Sequence, residues 1–140
     1  MKRKASAVWR GDLKSGKGNI STDSGVLKDT QYSFSTRFEN GIGTNPEELI
    51  AAAHAGCFAM AFSAELGKAG LTPESIAATA TVTLDMLPSG PTVTESHLDV
   101  AAKVPGAEAG KVLEIANTAK AGCPISRLLN AKVTMDAKIE

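Results

Sequence analysis

Residues 45–68 set the hardest condition on this chain. Asn45-Pro46-Glu47-Glu48 has the chemistry of a helix start. Asparagine caps a first turn, proline suits the first helical position, and the two glutamates favour the positive end of the helix dipole. The run that follows is apolar on every side, with Leu49, Ile50, Ala53, Cys57, Phe58, Met60, Ala61 and Phe62 in its middle. It reads as one helix to about Lys68, stopped by Gly70. A helix without a polar face must be covered all round. A chain of 140 residues has little material for that. The reading therefore predicts that a second copy supplies the rest, as an intimate homodimer.

The length fits one domain, residues 1–140. Fifteen Lys and Arg balance fifteen Asp and Glu, so no field steers the chain to nucleic acid or an anionic membrane. The basic Lys2-Arg3-Lys4 start reads as a solvated terminus. Ala5 to Val8 is too short for the apolar core of a signal peptide. The most apolar stretch, Leu49 to Ala64, contains His54 and Ser63 and is expected to fall short of a membrane span. A soluble cytoplasmic protein is the expectation. In that compartment two cysteines are a transient, chemically active pair more often than a permanent staple.

The chain before the helix alternates like short strands: Ala5–Arg10, Asn19–Thr22, Val26–Lys28 and Tyr32–Phe38, punctuated by Gly11, Gly16-Lys17-Gly18 and Ser24-Gly25. After it, residues 76–87 and 92–104 alternate around Pro88-Ser89-Gly90-Pro91 as a long hairpin. Residues 107–121 have helical spacing, Cys123-Pro124 opens a short helix over 125–130, and residues 131–139 close as a strand. Strands, helix, strands, helices and strand make an α+β protein with antiparallel sheet.

Gly11-Asp12-Leu13-Lys14-Ser15-Gly16-Lys17-Gly18 nearly spells a phosphate loop. It lacks the Ser or Thr that would hold magnesium after Lys17, and no helix follows it; a hairpin turn is the better reading. His54 lies one turn from Cys57, but two cysteines and two histidines without ligand-like spacing do not make a zinc site. His54 reads as a packing or hydrogen-bonding residue of the helix. Glu47 and Glu48 point about 100° apart on a helix, so at least one is a solvated first-turn charge. Cys57 is, from its local sequence, a buried hydrophobe or a nucleophile with equal weight. Cys123, ahead of Pro124, would sit at a helix N-terminus, where partial positive charge lowers a thiol pKa. Local physics thus nominates Cys123 as the stronger nucleophile.

At these residues the chain resembles the OsmC/Ohr family of thiol-dependent hydroperoxide reductases, above all its osmotically inducible branch. The resemblance is carried by Trp9-Arg10-Gly11-Asp12, Gly16-Lys17-Gly18, Thr36-Arg37-Phe38-Glu39, Gly43-Thr44-Asn45-Pro46-Glu47-Glu48-Leu49, Ala53-His54-Ala55-Gly56-Cys57-Phe58 and Ala119-Lys120-Ala121-Gly122-Cys123-Pro124. It implies an intertwined homodimer with antiparallel sheets around long central helices. It also implies a peroxidatic Cys57, a resolving Cys123, a thiolate-stabilising Arg37 and a Glu47 that orients Arg37, which reverses the local ranking of the thiols. No metal or prosthetic group is implied. The substrate would be an organic hydroperoxide and the reductant an external dithiol, a dihydrolipoyl group or a lipoylated protein. Phe58, Met60 and Phe62, with Ile42, are expected to form an apolar pocket for the peroxide.

Glu47 and Cys57 lie ten residues apart on the predicted helix, about 15 Å along its axis. They cannot meet within one straight helix. Either they come from different subunits across antiparallel central helices, or a long Arg37 bridges the gap within one chain. The rival readings are a non-enzymatic redox sensor or apolar-ligand carrier on the same fold, and a structural dimer with buried thiols.

Overall fold

A computed structural model describes all 140 residues. The chain packs as two compact units, Met1–Leu49 and Ile50–Glu140.

The first unit opens with three antiparallel strands, β1 (Ala5–Arg10), β2 (Lys17–Thr22) and β3 (Thr30–Tyr32), in that order across the sheet. The near phosphate loop is the β1–β2 turn, closed by the Asp12 carboxylate, which accepts from the backbone N–H groups of Lys14 and Ser15. The glycines serve the sheet. Gly18 is in register with Trp9 on one side and Tyr32 on the other, and those rings lie 5.5 Å apart. A methyl group at Gly18 would come within 2.3 Å of Tyr32 and 2.9 Å of Trp9. Residues 26–28 form bends instead of the expected strand.

Residues 32–38 are a second correction. Their alternation reads as a strand, but only the start pairs; Phe34–Phe38 is a short helix, α1. Ser33 and Thr36 make a reciprocal capping box, each side chain accepting from the other's backbone N–H. That local bonding, together with Phe34 stacking on Phe38 at 5.0 Å, outweighs the β preference of the aromatic residues.

Helix α2 (Pro46–Lys68) begins as its sequence predicts, with Asn45 Oδ1 accepting from Glu48 N–H. Leu66 O accepts from the N–H of Leu71, and Gly70, at φ +75°, turns the chain away. At 23 residues and a mean hydropathy of 1.5, α2 is long and apolar enough to cross a membrane by length and composition, contrary to the expectation. One stripe of it is enclosed in this chain, His54, Phe58, Phe62 and Leu66, while its apolar window as a whole is 22% buried.

In the second unit β4 (Ser75–Leu87) and β5 (Gly90–Lys103) form the expected hairpin, bulged at Thr83/Leu84. Helices α3 (Ala109–Gly122) and α4 (Pro124–Leu128) follow, then β6 (Lys132–Ile139). β6 joins β5 in parallel, from Glu95↔Lys132 to Ala102↔Ile139. The sheet is therefore mixed, not purely antiparallel. A parallel neighbour requires a crossover, and α3 and α4 are that crossover. Along β5, Ser96, Leu98, Val100 and Ala102 point into the core while His97 and Asp99 point out. The core is these inward residues together with Phe58, Phe62, Leu66, Val112, Ile115, Ala116, Ala119 and Cys123.

Candidate active site

The second unit brings the two thiols together. Cys57 is half-buried on α2, at a position whose neighbour Phe58 anchors the helix in the core. Cys123 is fully buried at the joint between helices: its N–H donates to Ala119 O to end α3, and its own carbonyl accepts from Arg127 N–H to begin α4. Pro124 follows at the start of α4. The local reading of Cys123 at a helix N-terminus is what the structure has. The two thiols share a hydrogen bond with the sulfurs 2.9 Å apart, both free. A disulfide bond is about 2.05 Å, so less than about 1 Å of travel separates the dithiol from its closed form.

The surroundings of Cys57 within its own unit do not favour the ionised form. Burial pushes the Cys57 thiol above its ordinary value, and the bond to Cys123 adds to the rise; the backbone N–H of Ile125 acts the other way. A thiol in this setting needs a cation to ionise at neutral pH.

The first unit holds a cation that is fixed in place by a carboxylate. Arg37, in the last turn of α1, donates to both carboxylate oxygens of Glu47: Nη2 to Oε1 at 2.7 Å, and Nε to Oε1 and Oε2 at 3.2 Å. Glu47 stands in the first turn of α2 with its side chain 13% exposed, against 38% for Arg37. This two-point grip sets the plane of the guanidinium, and the ring of Phe38 lies 5.2 Å from its central carbon. Glu48 does not share it; its carboxylate accepts from Asn45 Nδ2 at the helix cap.

His54, one turn before Cys57, is wholly buried. Nδ1 meets Ser96 Oγ at 2.7 Å and Nε2 meets Ser126 Oγ at 2.8 Å. Burial lowers its pKa below the ordinary 6.5, so the ring is neutral and one hydroxyl must donate to it while the other accepts. The histidine was legible as a hydrogen-bonding residue of the helix; its two serine partners, 42 and 72 residues away, were not.

With this geometry in view, the comparisons with known proteins are decisive about kinship. The family model for OsmC-like proteins matches residues 39–138. The chain is 51% identical over 138 residues to peroxiredoxin OsmC of Escherichia coli strain K12, spanning 99% of this chain and 96% of that protein, and equally to peroxiredoxin OsmC of Shigella flexneri. The chain belongs to the OsmC family. Among solved structures, an OsmC-like protein of unknown function from Vibrio cholerae shares its fold at a TM-score of 0.76 and 18% identity, covering 98% of this chain and 99% of that one. The organic hydroperoxide resistance protein OhrB of Bacillus subtilis does so at 0.69 and 24%, covering 98% of each.

Two features of this OsmC-family chain differ from the sequence reading. Phe58 and Phe62 are core residues with no exposure, stacked 5.6 Å apart, so they line no pocket in this chain. Met60 and Ile42 are 78% and 97% exposed. The aromatic cleft lies instead in the first unit, about 260 Å³ bounded by Trp9, Leu13, Tyr32, Ser33, Phe34, Arg37 and Phe38. The other histidine, His97, has its Nε2 at 3.4 Å from both Asp99 and Asp136. Their ligand atoms lie within 4.8 Å of one another, a grouping that the parallel β6 creates and that spacing in the sequence hides. Both aspartates are well exposed.

Proposed function

We propose that this chain reduces organic hydroperoxides to alcohols through a Cys57 sulfenic acid that Cys123 resolves as a disulfide. It is a thiol-dependent peroxidase of the OsmC family and uses no prosthetic group. The Cys57 thiolate attacks the terminal peroxide oxygen; the O–O bond breaks, the alkoxide leaves and takes a proton as alcohol, and Cys57 becomes the sulfenic acid. The Cys123 sulfur then displaces hydroxide, which leaves as water, and the S–S bond forms. An external dithiol, a dihydrolipoyl group in this reading, reopens the bridge by exchange.

The carrying observation is the 2.9 Å approach of Cys57 and Cys123 in a chain half identical to a named peroxiredoxin over nearly its whole length. The remaining parts follow from chemistry. A free thiol, with pKa about 8.5, is only about 3% ionised at pH 7, and Cys57 is pushed higher still. Arg37, oriented by Glu47, supplies the positive charge, and the aromatic cleft beside Arg37 takes the alkyl group of the peroxide. Glu47 and Cys57 are about 15 Å apart along α2, so the Arg37–Glu47 pair of one subunit serves Cys57 of a second copy. The exposed side of α2, with Ala52, Ala53, Gly56 and Met60, is the surface that a homodimer would cover. Free thiols suit the reducing cytoplasm.

The test is consumption of tert-butyl hydroperoxide with dihydrolipoamide as reductant, comparing wild type with C57S and C123S. Turnover by wild type and none by C57S is the expected result. A redox sensor or an apolar-ligand carrier would show no catalytic turnover, and inert wild-type protein would remove the peroxidase reading.

A further inference from the structure

The buried His54 takes no part in the chemistry above, yet its ring ties together the elements that carry the two thiols. It extends from α2 one turn before Cys57. Through Nδ1 it is tied to Ser96 on β5, and through Nε2 to Ser126 on α4, three residues beyond Cys123. The need for such a link is visible in α4. That helix has five residues, no buried side chain and no side-chain cap at its N-terminus. An isolated helix of this length is unstable in water, so tertiary ties must hold it. Ile125 is only partly buried, and Ser126 is the residue of α4 whose side chain hydrogen-bonds to α2. No buried side-chain nitrogen or oxygen lacks a partner, and removing either serine hydroxyl would orphan a nitrogen of an enclosed ring, a costly state.

We infer that His54 is a positioning residue: clamped between Ser96 and Ser126, it holds α4 so that the Cys123 sulfur stays within reach of Cys57. The inference rests on the proposed function for its biological meaning but not for its geometry. Its consequence is a partition. A sulfenic acid at Cys57 either meets the Cys123 thiol, giving disulfide and water, or meets a second hydroperoxide, giving sulfinic acid and an alcohol. A held Cys123 favours the first outcome; a released α4 favours the second.

The effective concentration of Cys123 at Cys57 reads the clamp directly, by equilibrating the protein with dithiothreitol at set ratios of reduced to oxidised reagent and counting disulfide by mass. Ser126→Ala should lower it about fivefold, the factor carried by one net hydrogen bond, and Ser126→Thr, which keeps the hydroxyl, should restore it. Ser96→Ala and His54→Asn should lower it in the same direction. Should Ser126→Ala and Ser96→Ala both match wild type, the inference is overturned even if His54→Asn does not fold. Peroxide assays of the same wild-type preparation report on the peroxidase reading separately: loss of turnover with an intact clamp refutes only the enzyme, and an intact enzyme with no clamp effect refutes only His54.

Discussion

The sulfurs of Cys57 and Cys123 lie 2.9 Å apart across 66 residues of chain, with Cys123 the more deeply enclosed of the two. In the proposed mechanism the half-buried Cys57 meets the peroxide and the enclosed Cys123 resolves it. C57S should therefore abolish peroxide consumption. C123S should retain the first turnover but then gather sulfinic acid at Cys57, seen as a mass increase of two oxygens on the protein. A C123S enzyme that cycles indefinitely without over-oxidation would remove Cys123 from the resolving role.

Arg37 and Glu47 make one unit in this scheme. R37A should raise the pH midpoint of Cys57 alkylation by about 1 unit or more, the usual effect of an opposite charge at close range. E47Q should shift it in the same direction by less, since the guanidinium remains but is no longer held at two points. Iodoacetamide labelling across pH, read by peptide mass, measures both. An R37A midpoint equal to wild type would dismiss the arginine as the stabilising cation.

If each site draws on two copies, mixed subunits should complement. C57S and E47A homodimers are each expected to be inactive or severely slowed, while a heterodimer regains one working site and about half of the wild-type turnover per dimer. No recovery after verified subunit exchange argues for a site completed within one chain.

The exposed side of α2 gives a separate prediction. A charge at Met60, 78% exposed in the single chain, should disrupt the face that the proposed homodimer would bury. M60E is expected to shift sedimentation from dimer to monomer, with lower thermal stability. Unchanged dimers would place the interface elsewhere.

His54 also predicts how stability follows pH. Its pKa in the folded state is below the ordinary 6.5, so near and below that pH the unfolded chain binds more protons. Stability then rises with pH through this window and is lost as pH falls below about 6.5. Thermal melts at pH 7.5 and 5.5 should show the decline, and in His54→Asn it should be shallower. Equal slopes would mean that another group governs it.

Much of this was legible because some signals are local. Asn45-Pro46-Glu47-Glu48 caps the helix it announces, and Pro124 marks Cys123 as the head of α4, both signals being read from adjacent residues. The alternation of residues 92–104 marked β5 as a strand of the hairpin. The misreadings have physical causes. Tyr32–Phe38 has the alternation of a strand, and the Ser33–Thr36 capping box was the overlooked sign that it turns helical. Phe58 and Phe62, one turn apart, read as pocket walls, although that spacing equally describes a stripe facing the core. The parallel pairing of β6, and with it the meeting of His97 with Asp136, depends on which edge of the sheet a crossover reaches. Nothing within β6 itself encodes that.

That crossover has a mechanical consequence. Cys123 is at once the last link of α3 and the first of α4, a pivot instead of a point along a rod. A sulfur in mid-helix moves by its own rotamer, whereas one at a pivot is also carried by any change in the angle between two intact rods. The reach of the Cys123 sulfur and the angle between α3 and α4 are thus a single variable, which the tie from Ser126 to His54 holds at one value.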